Sequence, residues 1–289
     1  MKLKKVVIVG PGLIGGSIGK TLLTNKLSEK IVAVVRRESA VDEVVKAGAA
    51  TSATLDLDLA LTGAEAVVLC TPVGAIADKA ESIANLISKE CLVTDVGSTK
   101  KSIVLKLEKI FENKALFIGS HPIAGTEKRG VSAATDRLFH NAVCVLTPTD
   151  KTPHAAVARA HSFWKMLGAR CIEMSPEKHD KILAKISHLP HLAAYALVRA
   201  IAANADIDMD AKLVGGGFLD ATRIASSPAD LWVDIFMDNK KEILFSAKEF
   251  VKEINRIIDA LEKEDKGTLQ KLLEESKTKR DKIVEHLKK

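Results

Sequence analysis

The sequence predicts an α/β chain: an N-terminal doubly wound domain over residues 1–175, followed by an all-α domain over residues 176–289. Three observations carry this. Short β-branched runs alternate with longer helical patterns through the first part, the spacing of βαβ crossovers in a mostly parallel sheet. A glycine-rich turn joins the first such run to the first helix. After Ser175 the period changes, and nearly every stretch reads as amphipathic helix. In order, the strands are "KVVIVG", "IVAVV", "AVVLC", "LVTDV", "ALFIG", "AVCVLT" and "CIEM". The "ALFIG" strand ends before His121, leaving that histidine on a loop. The helical part includes "LPHLAAYALVRAIA", "KEILFSAKEFVKEINRIIDALEKE" and a last segment capped at Thr268 with a lysine-rich solvated face. Its many apolar positions favour pairing with a second copy of the chain.

With 289 residues, there is room for two domains with real cores. Apolar residues make up 47% and charged ones 28%, ordinary for a soluble globular enzyme. The net charge of +6 is spread along the chain without a basic block, and the single Tyr offers no platform for base stacking. A nucleic-acid partner is not expected; small anionic ligands suit the mild positive bias. Four cysteines, Cys70, Cys91, Cys144 and Cys171, are widely spaced with no C-x-x-C pair, and read as buried thiols in a reducing compartment. The opening "MKLKKVVIVGPGLIGG" is not followed by a small-residue cleavage site, and no run is long enough to span a membrane. These features predict a cytoplasmic protein with no membrane partner.

"GPGLIGGS" places Gly10, Gly12 and Gly15, with Leu13 and Ile14 between, directly after a strand and at the start of a helix. In a dinucleotide-binding, Rossmann-type unit, Gly10 permits the tight turn, Gly12 lets backbone approach a pyrophosphate, and Gly15 lets helix and strand pack closely. The helix N-terminus supplies free N–H groups and a positive dipole end. The second strand discriminates between nicotinamide cofactors. NAD-binding units usually end it with a carboxylate for the ribose hydroxyls. Here Arg36 and Arg37 follow, with Ser39 close by, and guanidinium groups pair with a 2′-phosphate. NADP is therefore expected, with NAD held through Glu38 as the alternative. Thr71 and Pro72 end a further strand and line the same crevice.

Two more strand ends converge there. "LVTDVGSTK" finishes with Asp95, Gly97, Ser98 and Lys100, and "ALFIGSHPIAG" brings Ser120, His121 and Pro122. His121 is the acid–base candidate, because imidazole titrates near neutrality. Ser98 is suited to hydrogen-bond a substrate hydroxyl or to orient that imidazole. The helical half adds "SHLPHLAAY", with Ser187, His188 and His191, and "GGGFLDATRIASSPADLW", with Asp220, Arg223, Ser226 and Trp232. His188 and His191 lack a companion ligand at zinc spacing, so no metal is expected. Arg223, in a mostly apolar stretch, calls for an anionic partner. Gly215–Gly217 suggest a backbone turn near a ligand or neighbouring subunit. The residues themselves lead as far as an NADP-dependent oxidoreductase acting on a small acid.

"GPGLIGGS", "DVGSTK", "HPIAGTEKRG", "SHLPH" and "GGGFLDATRIASSPADLW", in this order and spacing, resemble the prephenate/arogenate dehydrogenase family of tyrosine biosynthesis. The resemblance implies oxidative decarboxylation of a cyclohexadienyl acid, driven by aromatisation of the ring. It implies that His121 takes the proton of the ring hydroxyl and that Ser98 orients it. Arg223 becomes the carboxylate clamp and His191 a substrate contact, while Ser187, Thr126, Glu127, Asp220 and Trp232 line or gate the pocket. Ala124 and Gly125 leave room for the ring. His191 resembles the prephenate-using branch and the arginine pair the NADP-using arogenate enzymes, so prephenate is the expected substrate and arogenate the alternative. The resemblance also implies a homodimer formed by the helical domain.

Overall fold

The structure is a computed structural model describing residues 2–125, 128–203 and 206–287. Two compact units divide it, one running to Lys240 and the other from Lys241 onward. The first holds an eight-stranded sheet in the order β3-β2-β1-β4-β5-β6-β7-β8. Its strands are β1 (Leu3–Val9), β2 (Ser28–Val34), β3 (Ser52–Thr54), β4 (Ala66–Leu69), β5 (Leu92–Asp95), β6 (Leu116–Ile123), β7 (Val143–Thr147) and β8 (Arg170–Glu173). The first six follow the strand order of a dinucleotide-binding domain, with the chain reversing direction of growth between β1 and β4. All neighbours are parallel except β6 and β7.

The strands are short, continuous apolar runs because both faces are covered. On one face α1 (Leu13–Thr24), α2 (Ser39–Lys46) and α6 (His154–Met166) bury Ile18, Leu22, Val44, Phe163 and Trp164 against Ile8, Ile31 and Ile118. On the other, α3 (Leu57–Leu61), α4 (Ile76–Ile83) and α5 (Lys101–Phe111) bury Leu61, Ile76, Ile83, Leu107 and Phe111 against Val7, Val67 and Phe117. The core therefore lies in two layers sandwiching the sheet, which fixes the strand ends as a rigid rim.

His121 does not sit on a loop, as the sequence suggested. The strand continues through it to Ile123, because β7 pairs antiparallel with residues 119–123 (Gly119↔Thr147, His121↔Val145, Pro122↔Cys144). β5 pairs with β6 only at Leu116, Phe117 and Ile118. At Pro122 the strand has one neighbour, so the missing N–H costs no ladder bond on the open side.

Beyond β8 the first unit continues with α7 (Pro176–Leu183), a π-helical turn over Ala184–His188, α8 (Leu189–Ala202), α9 (Ile207–Leu213), α10 (Gly216–Thr222), a 3₁₀ turn over Arg223–Ser226 and α11 (Ala229–Asp238). Trp232 and Ile235 of α11 join the second core layer. The sequence pattern changes at 175/176, whereas compactness divides the chain at Lys240. Gly215 is the N-cap of α10 and Gly216 and Gly217 begin that helix, all three exposed in the single chain.

The second unit holds α13 (Lys266–Leu287) and, from Lys241 onward, α12 (Lys240–Glu262). The cap of α13 is Asp265, not Thr268. Asp265 Oδ1 accepts the Thr268 N–H at 3.0 Å and Oδ2 accepts the Thr268 hydroxyl at 2.7 Å. α12 carries Phe245, Val251, Ile254, Ile258 and Leu261 at the surface of the single chain.

Candidate active site

The glycine loop has the geometry its spacing predicts. Gly10 has φ +82°, a conformation that favours glycine. A Cβ on Gly15 would lie 2.8 Å from Ile8 Cγ2 and 3.0 Å from the Gly10 carbonyl, so helix and strand meet here at glycine distance. Around Gly12 a Cβ would meet nothing within 4 Å, which leaves open space at the mouth of the turn. Gly12 caps α1 without any side-chain bond, so the N–H groups of Leu13 and the next residues face that space. The side chain of Ile14 packs against the core, so its contribution to a ligand is backbone. Thr71, after β4, keeps a buried hydroxyl with no hydrogen-bond partner, and Pro72 beside it is exposed. An uncapped helix end, an open cradle and an orphaned hydroxyl on adjacent strand ends fit a dinucleotide pyrophosphate.

At the end of β2 the two arginines are not equivalent. Arg37 Nη2 donates to both Glu43 oxygens, at 2.8 and 3.2 Å, on the first turns of α2. Arg36 is exposed and makes no ion pair among the described residues, and Ser39 is exposed at the start of α2.

The reacting end is built on β5, β6 and the start of α5. Asp95 and Lys100, both fully buried, form an ion pair. Asp95 Oδ2 also accepts the Gly97 N–H at 2.8 Å, and the Ser120 hydroxyl donates to the Asp95 carbonyl at 2.5 Å. These bonds pin the "DVGSTK" turn to β6. Alternation along β6 puts His121 on the same face as Phe117, towards α5 and α7. There His121 Nδ1 lies 2.9 Å from His179 Nε2, and His179 Nδ1 lies 2.7 Å from Asp180 Oδ1. Asp180 in turn accepts the backbone N–H groups of Lys100 and Lys101, at 2.8 and 2.9 Å, and so closes the N-terminus of α5.

The imidazole's hydrogen-bond partner among the described residues is His179; of the two roles expected of Ser98, orienting that imidazole is not the one seen. Ser98 is half-buried and its hydroxyl makes no hydrogen bond among the described residues. His179 and Asp180 were missed because "PEKHDKIL" reads as an ordinary polar helix start. The one available signal was an adjacent His-Asp pair just behind the Ser175 cap and Pro176.

Burial pushes the His121 imidazole well below its ordinary value, and His179, Lys100 and His188 add to it. Burial also lowers His179, with Asp180 opposing and Lys100 assisting. For Asp180, burial alone acts upward, but the His179 hydrogen bond and the two backbone N–H groups hold the carboxyl below the usual carboxylate range.

The helical residues gather around Trp232, which is buried at 7% exposure. The His191 ring stacks on it with centroids 3.6 Å apart, and His188 meets it edge-on at 6.1 Å. Asn239 Nδ2 donates to the Asp180 carbonyl at 2.9 Å and lies 3.2 Å from His188 Nδ1. The carbonyl fixes that amide nitrogen as the donor, so His188 Nδ1 accepts and its proton sits on Nε2. The π-helical turn that ends at His188 accommodates Pro190, which has no N–H to give the helix. Ser187 is half-buried in the same turn; Asp220 and Arg223 are exposed, on α10 and the 3₁₀ turn that packs against α8. Thr126 and Glu127 lie outside the described residues. No group of three or more metal-binding side chains occurs among the described residues.

The buried histidines predict a pH-dependent stability. Burial pushes His188 down to about 4 from 6.5. Its folded value lies below its unfolded one, so the unfolded chain protonates first. Its contribution is complete above pH 6.5 and is lost as pH falls towards 4, by about 3 kcal/mol. His121, His179 and His191 act in the same direction. Urea unfolding at fixed protein concentration should show midpoints falling across that window, and His188→Gln should flatten the fall.

The same architecture recurs in known proteins. A profile described as "Prephenate dehydrogenase, nucleotide-binding domain" matches residues 18–173, and one described as "Prephenate dehydrogenase, dimerization domain" matches residues 175–275. The chain belongs to the prephenate dehydrogenase family. Prephenate dehydrogenase of Bacillus subtilis is 35% identical over 96% of this chain and 75% of its own length. Cyclohexadienyl dehydrogenase of Zymomonas mobilis is 31% identical over 96% and 95%. Among solved structures, Aquifex aeolicus prephenate dehydrogenase in complex with hydroxyphenyl propionate and NAD+ superposes with a TM-score of 0.90. It has 33% identity and covers 98% of this chain and 99% of that one. Synechocystis arogenate dehydrogenase gives 0.81, with 31% identity over 96% and 99%. Members of this family are oxidoreductases with a Rossmann-type domain, so the protein is an NAD(P)-binding dehydrogenase.

Proposed function

We propose that this prephenate dehydrogenase family member oxidises and decarboxylates prephenate to 4-hydroxyphenylpyruvate in tyrosine biosynthesis, with NADP preferred over NAD. The observation that carries the reading is His121, oriented by His179 at the end of β6, on the rim that also carries the glycine loop. The nicotinamide, when bound, supplies the hydride acceptor. Gly10, Gly12, Gly15 and the N-terminus of α1 hold its pyrophosphate, with Leu13, Ile14, Thr71 and Pro72 beside it. Arg36 and Ser39 take the 2′-phosphate.

His121 Nε2 accepts the proton of the ring 4-hydroxyl, and Ser98 hydrogen-bonds that hydroxyl. Arg223 and His191 hold the substrate carboxylates. Ser187, Asp220 and Trp232 bound the pocket. Trp232 and its stacked His191 exclude water from one side of it. Aromatisation on loss of carbon dioxide supplies the driving force, so the residues need only position and deprotonate.

Arogenate is the second reading, favoured by the arginine pair at the end of β2. An assay of both substrates with both cofactors, following reduced nicotinamide, tests all of this. Prephenate with NADP should turn over best; faster arogenate turnover, or equal use of NAD, overturns the corresponding part. Arg36→Ala should raise the KM for NADP about 10- to 100-fold, the loss of one charge-assisted contact, and leave NAD unchanged. Arg37→Ala should do less, because Glu43 already engages that guanidinium.

The helical residues 176–289 are the substrate-binding and dimer-forming part in this reading. The apolar side chains that α12 exposes in the single chain support a homodimer. Light scattering on the purified protein should give twice the chain mass. The four cysteines, all free, suit a cytoplasmic enzyme.

A further inference from the structure

We infer that His179 and Asp180 are positioning residues that hold the His121 proton on Nδ1 and take up, as a unit, the positive charge arriving at His121. The inference rests on the reading of His121 as the base, and extends it to residues that touch no substrate.

The proton positions follow from donors whose identity is not in question. Backbone N–H groups of Lys100 and Lys101 donate to the two Asp180 oxygens, so both act as acceptors. His179 Nδ1, 2.7 Å from Oδ1, must then be the donor. In neutral His179 this leaves Nε2 with a lone pair, and that atom faces His121 Nδ1 at 2.9 Å. His121 Nδ1 therefore carries the proton, and its Nε2 is an open acceptor. Burial and Lys100 both oppose a cationic His179 in the resting protein, which supports the neutral assignment.

The same chain handles the product of base catalysis. The substrate hydroxyl gives its proton to His121 Nε2 as that N–H bond forms and the O–H bond breaks. The Nδ1–H proton then passes to His179 Nε2. His121 ends neutral with its proton on Nε2, and the single positive charge rests on His179 against the Asp180 carboxylate. Solvent removes one proton after product release, and the chain resets. A cation on either ring faces Lys100, but only the relayed charge has a counter-ion, the Asp180 carboxylate, at 2.7 Å.

Asp180 also closes the N-terminus of α5, so its replacement has a structural component. His179 separates the roles. His179→Ala removes the partner and should lower kcat about 100-fold, with cofactor affinity unchanged. His179→Gln keeps an acceptor for Nδ1–H without a proton site, and should recover about tenfold of that loss. Asp180→Asn should lower kcat and shift the acid limb of kcat/KM to lower pH, because a counter-charge is lost. The groups facing the His121–His179 pair are Lys100, Asp95, Asp180 and His188, and of these only Asp180 changes.

Nitrogen-15 NMR of the labelled wild-type chain at pH 7.5 reads the tautomers directly. His121 and His179 should both carry the proton on Nδ1. A proton on His121 Nε2 overturns the inference, whatever the variants do. So does a loss below threefold in both His179→Ala and Asp180→Asn with an unmoved acid limb, or a glutamine variant no better than alanine. If the wild type oxidises neither prephenate nor arogenate, the functional reading fails, and the tautomers still decide the relay.

Discussion

Replacing His121 with asparagine lowers kcat by about 10³-fold, within the range for removal of a general base, while KM for the cyclohexadienyl substrate changes by less than about threefold. Asparagine keeps a polar atom near the hydroxyl, so the ground-state contact survives in part; what disappears is the proton acceptor. The cofactor's dissociation constant stays where it was, because the glycine loop and Thr71 lie on β1 and β4, not on β6. The His121 imidazole is held well below its ordinary value, so it is an unprotonated base through the neutral range. Wild-type kcat/KM should therefore stay level on going from pH 8 down to 6.5, and bend only below. The variant should show no bend of this origin. Steady-state rates with single-turnover measurements check each part. A kcat within tenfold of wild type removes His121 from the chemistry.

Much of the fold was legible because two periods carry it. Continuous apolar runs such as "KVVIV" and "AVVL" mark strands covered on both faces, and the 3.6-residue pattern after Ser175 marks helices. The glycine loop was legible at Gly10 and Gly15, whose demands, a positive φ and a close helix–strand contact, are local to the turn. The failures around His121 share a cause: partners distant in the chain. Pro122 looked like the end of a strand, and only β7, returning antiparallel from residue 143, keeps that stretch extended. His179 lies 58 residues from His121 in sequence, and nothing local distinguishes it from a solvated histidine on a helix start. For Ser98, on a neighbouring strand end, the sequence leaves two roles open, and only the distant His179 contact removes the one at the imidazole. The α13 cap went to Thr268 in place of Asp265 because Asp and Thr three residues apart present the same kind of signal, and their mutual bonds decide between them. At β2 the sequence showed two equal arginines; Glu43, six residues further, separates them.

Lys100→Met should be the most destabilising single change at the site, by about 3–5 kcal/mol, the cost of stripping a buried carboxylate of its partner. Both Asp95 and Lys100 are without solvent exposure, so no water replaces the ammonium group. Asp95 keeps the Gly97 N–H and the weaker Ser120 N–H at 3.3 Å, two dipoles in place of a full charge. Methionine fills the lysine's path with little change of volume, so the loss is electrostatic and not a cavity. The double variant Asp95→Asn with Lys100→Met removes the stranded charge and leaves an oxygen for the Gly97 N–H. It should recover at least half of the loss. Urea unfolding at pH 7.5 and fixed protein concentration measures all three chains, the concentration being fixed because association adds to apparent stability. Equal loss in the single and double variants would show that packing, not the pair, holds the "DVGSTK" turn. The same turn presents Ser98 and supplies the Lys100 and Lys101 N–H groups to Asp180. Loosening it therefore loosens the support of His121, and kcat should fall in the single variant even at temperatures where it remains folded.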